Sequence, residues 1–301
     1  MQRSAFPGIV LLYDNRPCAA IGYTREPTGT VVLSQPVLLL DASDQVRRAL
    51  CDQLLKQVKL QTTEEGFRSL QFLQDNSTEG NNIGLALVAH GFIQAAEILQ
   101  WALTVELDQG NHPASPKTDS PGIWRDIELN NFNRLDFAPA ESVAIHALRQ
   151  ALDTILKCSD DLTALPRPTA TEMLMKWHQM QASVFVCQIG QSIAGVMTCA
   201  TASAKACGPP LTGEINVCIE YIGVVTAFRK QHIASRLISR IPELLNLNPQ
   251  QGESASLTLQ AYSDATNPSA THLYQRRGFV QTHRMQLWHC DLRASRLRSG
   301  G

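Results

Sequence analysis

Two stretches of the chain, HGFIQAAEILQW (90–101) and RGFVQTHRMQLW (277–288), superpose without a gap. Gly91, Phe92, Gln94 and Trp101 match Gly278, Phe279, Gln281 and Trp288, each pair 187 residues apart. A second pair, LDASDQVRRALCDQLL from Leu40 and VTAFRKQHIASRLISR from Val225, lies at an offset of 185 and sets Ala49 over Ala234. Two matches in the same order at nearly one offset mark a duplicated unit. A chain built this way folds as two copies of one arrangement of strands and helices, not as one irregular domain.

The local signals give the same order twice: hairpin, strand, long helix, strand, short helix, Gly-Phe, strand. In the first half, IVLLY (9–13) and residues 18–24 flank the turn DNRP, and TVVLSQPVLLL (30–40) is a third strand. SDQVRRALCDQLLKQV predicts a helix over 43–58, with Ser43 or Asp44 as cap and Val46, Leu50, Leu54 and Val58 recurring four apart. A strand near 69–73, a short helix near 81–90 and a strand over 93–103 close the copy. LDQGNHPASPKTDSPG (107–122) has no apolar period and reads as a linker. The second half adds two helices, at 140–157 and 170–180, before its hairpin SVFVCQI–GQ–SIAGVMTCAT. The strand INVCIEYIGVV, a helix over 231–246, the strand ASLTLQAY, a short helix over 267–277 and a strand over 279–290 follow. The expected domains are 1–106, a linker at 107–122, a second domain at 123–292 and a basic tail at 293–301.

Composition narrows the function classes. At 44% hydrophobic and 18% charged residues the chain is globular. A formal net charge of −1 gives no general affinity for nucleic acid or membranes. From Tyr221 onward, however, ten Lys/Arg face four Asp/Glu, which suits a local anionic ligand. There is no C-x-x-C, no H-E-x-x-H, no G-x-S-x-G and no Walker loop, so no metal is expected. Cys187, Cys199, Cys218 and Cys290 lie in apolar runs and read as small buried hydrophobes of a reducing compartment. The start of the chain meets a turn too early for a signal peptide, and no apolar run reaches the ~18 residues of a membrane span. The expected location is the cytoplasm, as monomer or homodimer.

The chemistry gathers at two places. YIGVVTAFRKQHIA reads as a strand entering a helix through a tight turn. Unpaired N–H groups and the positive end of the helix dipole make such a junction an anion site, to which Arg229 and Lys230 add charge. On the strand, alternation puts Cys218, Glu220, Ile222 and Val224 on one face. A carboxylate among apolar neighbours there could serve as a general base; the plain alternative is an exposed Glu220 paired with an arginine. In NPSATHLYQRRGF (267–279), Asn267 can cap a helix and Tyr274 follows two turns later. Taken alone, this is a capped helix whose tyrosine packs in the core.

Together the two patches resemble the GNAT family of N-acetyltransferases. That family carries an acyl-CoA turn, Q/R-x-x-G-x-G/A, at a strand–helix junction, and further on an Asn-started helix ending in L-Y-x-x-x-G-F. RKQHIA and LYQRRGF occupy those places. The resemblance covers roughly 140–292 well and the first half from its hairpin onward. It implies an α/β (α+β) fold of two GNAT-like units, each a mixed, mostly antiparallel sheet with flanking helices. It implies acetyl-CoA as co-substrate and an amine, small molecule or peptide, as acceptor, joined by direct attack in a ternary complex. The backbone of Ile222 and Val224 would pair with the pantetheine arm beside the strand. N–H groups of Arg229, Lys230, Gln231, His232, Ile233, Ala234 and Ser235 would hold the pyrophosphate. Asn267 would contact the pantetheine or order its helix. Glu220 would take the amine proton, directly or through water. Tyr274, at a phenol pKa of about 10, would protonate a thiolate whose own pKa is about 8.5 or above.

Two departures stand out. The central glycine position holds His232, which keeps the N–H but adds bulk beside the phosphates. Three outcomes follow: a side chain turned to solvent, a protonated ring on a phosphate, or a blocked cofactor. The first copy departs further, with Asp44 in place of Arg229 and no tyrosine before its HGF. Residues 1–105 are therefore expected not to bind acyl-CoA but to cover the second unit. The rival reading is a tandem GNAT fold that has lost turnover and serves as a binding or sensing module.

Overall fold

The computed structural model describes residues 7–38, 43–75, 81–107, 122–127, 143–159, 165–201, 214–245 and 255–293. The expected linker and basic tail lie outside them apart from Leu107, Gly122 and Arg293. The chain forms two compact units. One gathers Met1–Ile98, Leu162–Pro166 and His283–Gly301, and the other Leu99–Asp161 and Arg167–Thr282.

In the first unit β1 (Gly8–Tyr13) and β2 (Arg16–Arg25) form the expected hairpin, turned by Asp14 and Asn15 at positive φ. β2 pairs antiparallel with β3 (Thr30–Leu33) and with a short β4 (Val37–Leu38). The strand expected over 30–40 is thus cut at Pro36, which has no N–H for a ladder. α1 (Asp44–Glu64) buries Cys51, Leu54, Leu55, Val58 and Thr62. Val46 is exposed, so the buried stripe starts a turn later than the four-residue spacing suggested. Ser43 stands at the N-cap, but its side chain makes no capping bond. β5 (Ser69–Asp75) runs parallel to β3, and α2 (Asn81–Ala89) follows. The partner of β5 on its other side is β12 (Val280–Asp291), the last strand of the chain, in antiparallel register from Ser69↔Asp291 to Asp75↔Met285. Trp288, Cys290 and Leu292 thereby enter the core of α1, β2, β3 and β5.

The second unit has the strand order β7 (Gly122–Ile127), β8 (Ser183–Ile189), β9 (Ser192–Thr201), β10 (Glu214–Val224), β11 (Ala255–Asp264), and beyond β11 the strand β6 (Ile93–Leu107). The unit holds β6 from Leu99 onward. Its pairs are antiparallel from β7 to β10, and β10–β11 is parallel. β7 was not legible as a strand: GIWRDI is short and follows the glycine- and proline-rich stretch directly. Alternation divides the sheet between two cores. Val184, Val186, Ile193 and Val196 face α3 (Val143–Lys157) and α4 (Ala170–Gln179) through Leu148, Leu152, Leu174 and Trp177. Phe185, Cys187, Met197, Val217 and Ile219 face α5 (Ile233–Ser239), α6 (Ile241–Leu244) and α7 (Pro268–Arg276) through Leu237, Ile241 and Tyr274. The helix expected over 231–246 breaks at Arg240, just before Pro242 opens α6.

Each unit is therefore completed by the closing strand of the other half of the sequence. Residues 99–107 close the second unit and 283–291 close the first.

Candidate active site

β10 and β11 run parallel from Glu214↔Ser256 to Ile219↔Ala261, and there their pairing ends. β10 continues to Val224 and β11 to Asp264. The edge of β10 that carries Ile222 and Val224 is thus left without its neighbour. This is where an extended ligand could lie and bond to the strand.

At the same point the pairing of β10 with β9 shifts: Ile219 faces Cys199, Tyr221 faces Thr198, and Glu220 is the extra residue of a bulge. The bulge corrects the expectation that Cys218, Glu220, Ile222 and Val224 share one face. Ile222 and Val224 pack against the α5 side with Val217 and Ile219, whereas Tyr221 packs against α3 and α4, its ring 5.5 Å from Trp177. Cys218 and Glu220 stay together at the bulge. Cys218 is only half-buried and is not the plain hydrophobe expected. Its thiol is pushed up by burial, then by the charge of the neighbouring Glu220 carboxylate, against a smaller lowering by Lys176 of α4. Cys199, buried across the ladder, is pushed up to about 12, by burial first and the Glu220 charge second. Nothing in the sequence signalled the coupling of Cys218 to Glu220 beyond their i, i+2 spacing.

The junction after β10 is a 3-10 turn, Thr226–Phe228, followed by two residues at positive φ, Lys230 (65°) and His232 (60°). His232 is the N-cap of α5, at φ 60° and ψ 18°, the left-handed conformation that glycine adopts freely. The family's glycine thus has a conformational reason here, and histidine takes the same backbone course with its side chain exposed. The first intrahelical bond runs from Arg236 N–H to His232 C=O, so the N–H groups of Ile233, Ala234 and Ser235 are left outside the helix ladder. α5 lies close to the sheet because β9 carries Gly195: a Cβ there would meet Ile233 Cγ2 at 2.6 Å.

Arg229 is placed differently from its neighbours. Its N–H donates to Thr226 C=O (3.2 Å), and its guanidinium to the carbonyls of Cys158 (3.1 Å) and Val224 (3.4 Å). Together with Arg167, which donates to the carbonyls of Leu156, Lys157 and Ser159, it satisfies the C-terminal end of α3. Lys230, Gln231 and His232 remain exposed.

Asn267 caps α7: its Oδ1 accepts from Ala270 N–H at 3.0 Å, and Pro268 fills the first turn. Tyr274 is 3% exposed and sits between Trp101 (centroids 6.1 Å apart) and Phe279 (5.2 Å). The structure thus builds Ile222, Val224, Lys230 to Ser235, Asn267 and Tyr274 into the α5–α7 side of one unit. Glu220 lies at the bulge with Cys218, on the strand that joins the two faces. Trp101 and its partner Ser263 were not singled out as site residues, although the tryptophan recurs in the internal repeat.

The corresponding junction of the first copy has no such opening. All of β3 pairs with β5, ending at Leu33↔Phe72, and Pro36 follows. Gln35 donates its side-chain amide to Leu73 C=O (2.8 Å), on the strand edge just beyond the last pair. Asp44 stands in the first turn of α1.

Residues 181–281 match the acetyltransferase (GNAT) domain family. No curated protein matches the chain in sequence. Among solved structures, a GCN5-related N-acetyltransferase from Sphaerobacter thermophilus aligns at TM-score 0.55 and 16% identity, over 93% of this chain and 78% of that one. A tandem GNAT protein from the clavulanic acid biosynthesis pathway aligns at 0.53 and 11%, over 94% and 82%. A functionally unknown conserved protein from Staphylococcus epidermidis aligns at 0.52 and 14%, over 96% of both chains. The structural neighbours show the fold: the chain has the architecture of two GNAT-like units, with the family match falling in the second. No described helix is long and apolar enough to cross a membrane.

Proposed function

We propose that the second unit is an N-acetyltransferase that moves the acetyl group of acetyl-CoA to an amine by direct attack. The observation that carries this reading is the parting of β10 from β11 beyond Ile219↔Ala261, immediately before a turn with residues at positive φ. A free strand edge receives an amide-bearing pantetheine arm, and unpaired N–H groups at the head of α5 receive phosphate. The N–H groups of Ile233, Ala234 and Ser235 meet that need. Arg229 contributes by holding the turn against the end of α3 rather than by a free charge.

In the proposed reaction the acceptor amine attacks the thioester carbonyl. Glu220 removes the amine proton. The tetrahedral oxyanion is met by backbone N–H groups of β10, and the collapsing thiolate takes a proton from Tyr274. The acceptor is a small molecule or peptide amine. Acetyl-CoA acts as a co-substrate, and no metal enters the scheme.

Acetyl-CoA at about 100 times its dissociation constant should add about 2.7 kcal/mol of stability. A melting curve unmoved by acetyl-CoA would sink the proposal. With an amine acceptor, Tyr274→Phe should cut turnover while leaving acetyl-CoA affinity nearly intact. The burial of Tyr274 between two rings favours one rival, a binding or sensing module without turnover. Acetyl-CoA binding with no release of free CoA against a broad set of primary amines would select that rival.

A further inference from the structure

Tyr274 is held from two sides, and the two holders differ in origin. Phe279 is local: it follows Gly278 (φ 82°) and donates its N–H to Tyr274 C=O at 3.0 Å. Trp101 comes from the closing strand of the first half of the sequence. Its indole Nε1 donates to Ser263 Oγ at 2.9 Å, and both residues are buried. Ser263 is the penultimate residue of β11, next to Asp264, whose Oδ1 accepts from Thr266 N–H (2.8 Å) and Thr266 Oγ1 (2.7 Å). Asn267 then caps α7, which returns Tyr274 to the face of Trp101. The tryptophan is therefore bonded to the strand end from which the tyrosine's helix departs, and it also packs against the tyrosine. This closed circuit fixes the ring relative to β11.

The first copy is an internal control. Trp288, the repeat partner of Trp101, is buried in the first unit, facing Phe72 across the β5 pair. Phe92 matches Phe279, but Leu87 stands where Tyr274 stands, and SLQFLQD (69–75) over TLQAYSD (258–264) puts Gln74 in place of Ser263. Trp288 Nε1 is buried with no hydrogen-bond partner. Both copies keep the ring that fills the core. Only in the copy that has the tyrosine is the indole hydrogen-bonded.

We infer that Trp101, anchored by Ser263, is a positioning residue for Tyr274. The first half of the chain thus contributes to the site of the second through its closing strand. This rests on the reading of Tyr274 as the acid that protonates the leaving thiolate.

The test uses the full chain. Ser263→Ala removes the indole's acceptor without altering either ring, and Ser263→Thr restores a hydroxyl. With the best acceptor from a set of primary amines, Ser263→Ala should lower kcat about fivefold, the rate equivalent of one buried neutral hydrogen bond. KM for acetyl-CoA should not change, and Ser263→Thr should recover most of the loss. In the Tyr274→Phe background Ser263→Ala should cost nothing further, because the group it positions is gone. A Ser263→Ala enzyme at wild-type kcat, or a loss that multiplies in full with that of Tyr274→Phe, overturns the inference. Ring-flip rates of Tyr274 by aromatic NMR read the anchor without any acceptor, and they should rise in Ser263→Ala. If Tyr274→Phe leaves turnover intact, the acid role falls and the ring-flip rates decide: faster flipping upholds the anchor, and unchanged flipping refutes it.

Discussion

Replacing His232 by glycine and by alanine tests the backbone of the turn, because the two changes should differ in sign from the ordinary case. His232 sits at φ 60° and ψ 18° with its side chain exposed, so truncation removes little packing. The left-handed conformation costs a residue with a Cβ about 1–2 kcal/mol, and both histidine and alanine bear that cost. Glycine escapes it but returns about 0.5–1 kcal/mol through the freedom it gains in the unfolded chain. His232→Gly should therefore be more stable than His232→Ala by about 0.5–1 kcal/mol, or roughly 1–2 °C in melting temperature. At a helical position with negative φ the order reverses by a similar amount. Denaturant unfolding of wild type and both variants measures the difference, and acetyl-CoA titrations on the same samples read the site. The glycine variant should bind acetyl-CoA at least as tightly as wild type. A glycine variant less stable than the alanine variant would refute the left-handed assignment, and with it the reading of this junction as a glycine-type turn occupied by histidine.

Gly195→Ala should destabilise by about 1–3 kcal/mol, since its Cβ would stand 2.6 Å from Cγ2 of the buried Ile233; equilibrium unfolding that shows no loss would mean that α5 can retreat from the sheet. Thr169→Ala should cost about 1 kcal/mol by opening the capping box in which Thr169 and Glu172 bond each other's backbone N–H, and a melting curve would show it. Burial raises the thiols of Cys187 to about 11 and Cys199 to about 12, from an ordinary value of 9.0. The native state therefore keeps protons that the unfolded chain releases, and this stabilisation, complete below pH 9, is lost as pH climbs toward 11–12. Cys187→Ala/Cys199→Ala should flatten the alkaline side of the stability profile, and an unchanged slope would count against their burial. Alkylation of the native protein near pH 8 should label the exposed Cys158 well before either of them.

Much of this fold was legible because its elements announce themselves locally. The repeat, the hairpin turns and the amphipathic faces of α1, α3 and α4 all follow from spacing along a single segment. What was not legible depends on partners distant in sequence. The run Cys218–Glu220–Ile222–Val224 shows unbroken alternation, and only the register against β9 reveals that Glu220 is a bulge residue and that the face changes there. The destinations of the closing strands were hidden for the same reason. Residues 93–107 and 280–291 read alike, and sequence order assigns each to its own half, whereas the units take Leu99 onward and His283 onward the other way round. At the site, the motif spacing gave Asn267 and Tyr274 their places on α7, but the occupation of Arg229 by the carbonyls of Cys158 and Val224 needed the end of α3 beside it.

The two junctions, compared at the level of backbone, give the duplication a physical asymmetry. In each unit a parallel pair leads into a helix, and the last matched residues are Ile219↔Ala261 and Leu33↔Phe72. Past that point β10 runs on for five residues, 220–224, with one edge open. After Leu33 β3 stops, the next strand, β4, pairs with β2 instead, Pro36 removes an N–H, and the amide of Gln35 takes the carbonyl of Leu73. Asp44 then places a negative charge in the turn where phosphate would require a positive field. Any one of these changes could be compensated, but their combination removes the strand edge, the donor and the charge at once. The consequence is a stoichiometry: calorimetric titration should find one acetyl-CoA per chain. Gln35→Ala/Asp44→Asn should leave that number at one, because neither change restores the missing length of β3. Two sites per chain, in the wild type or in this variant, would show that the open edge of β10 is not what admits the ligand.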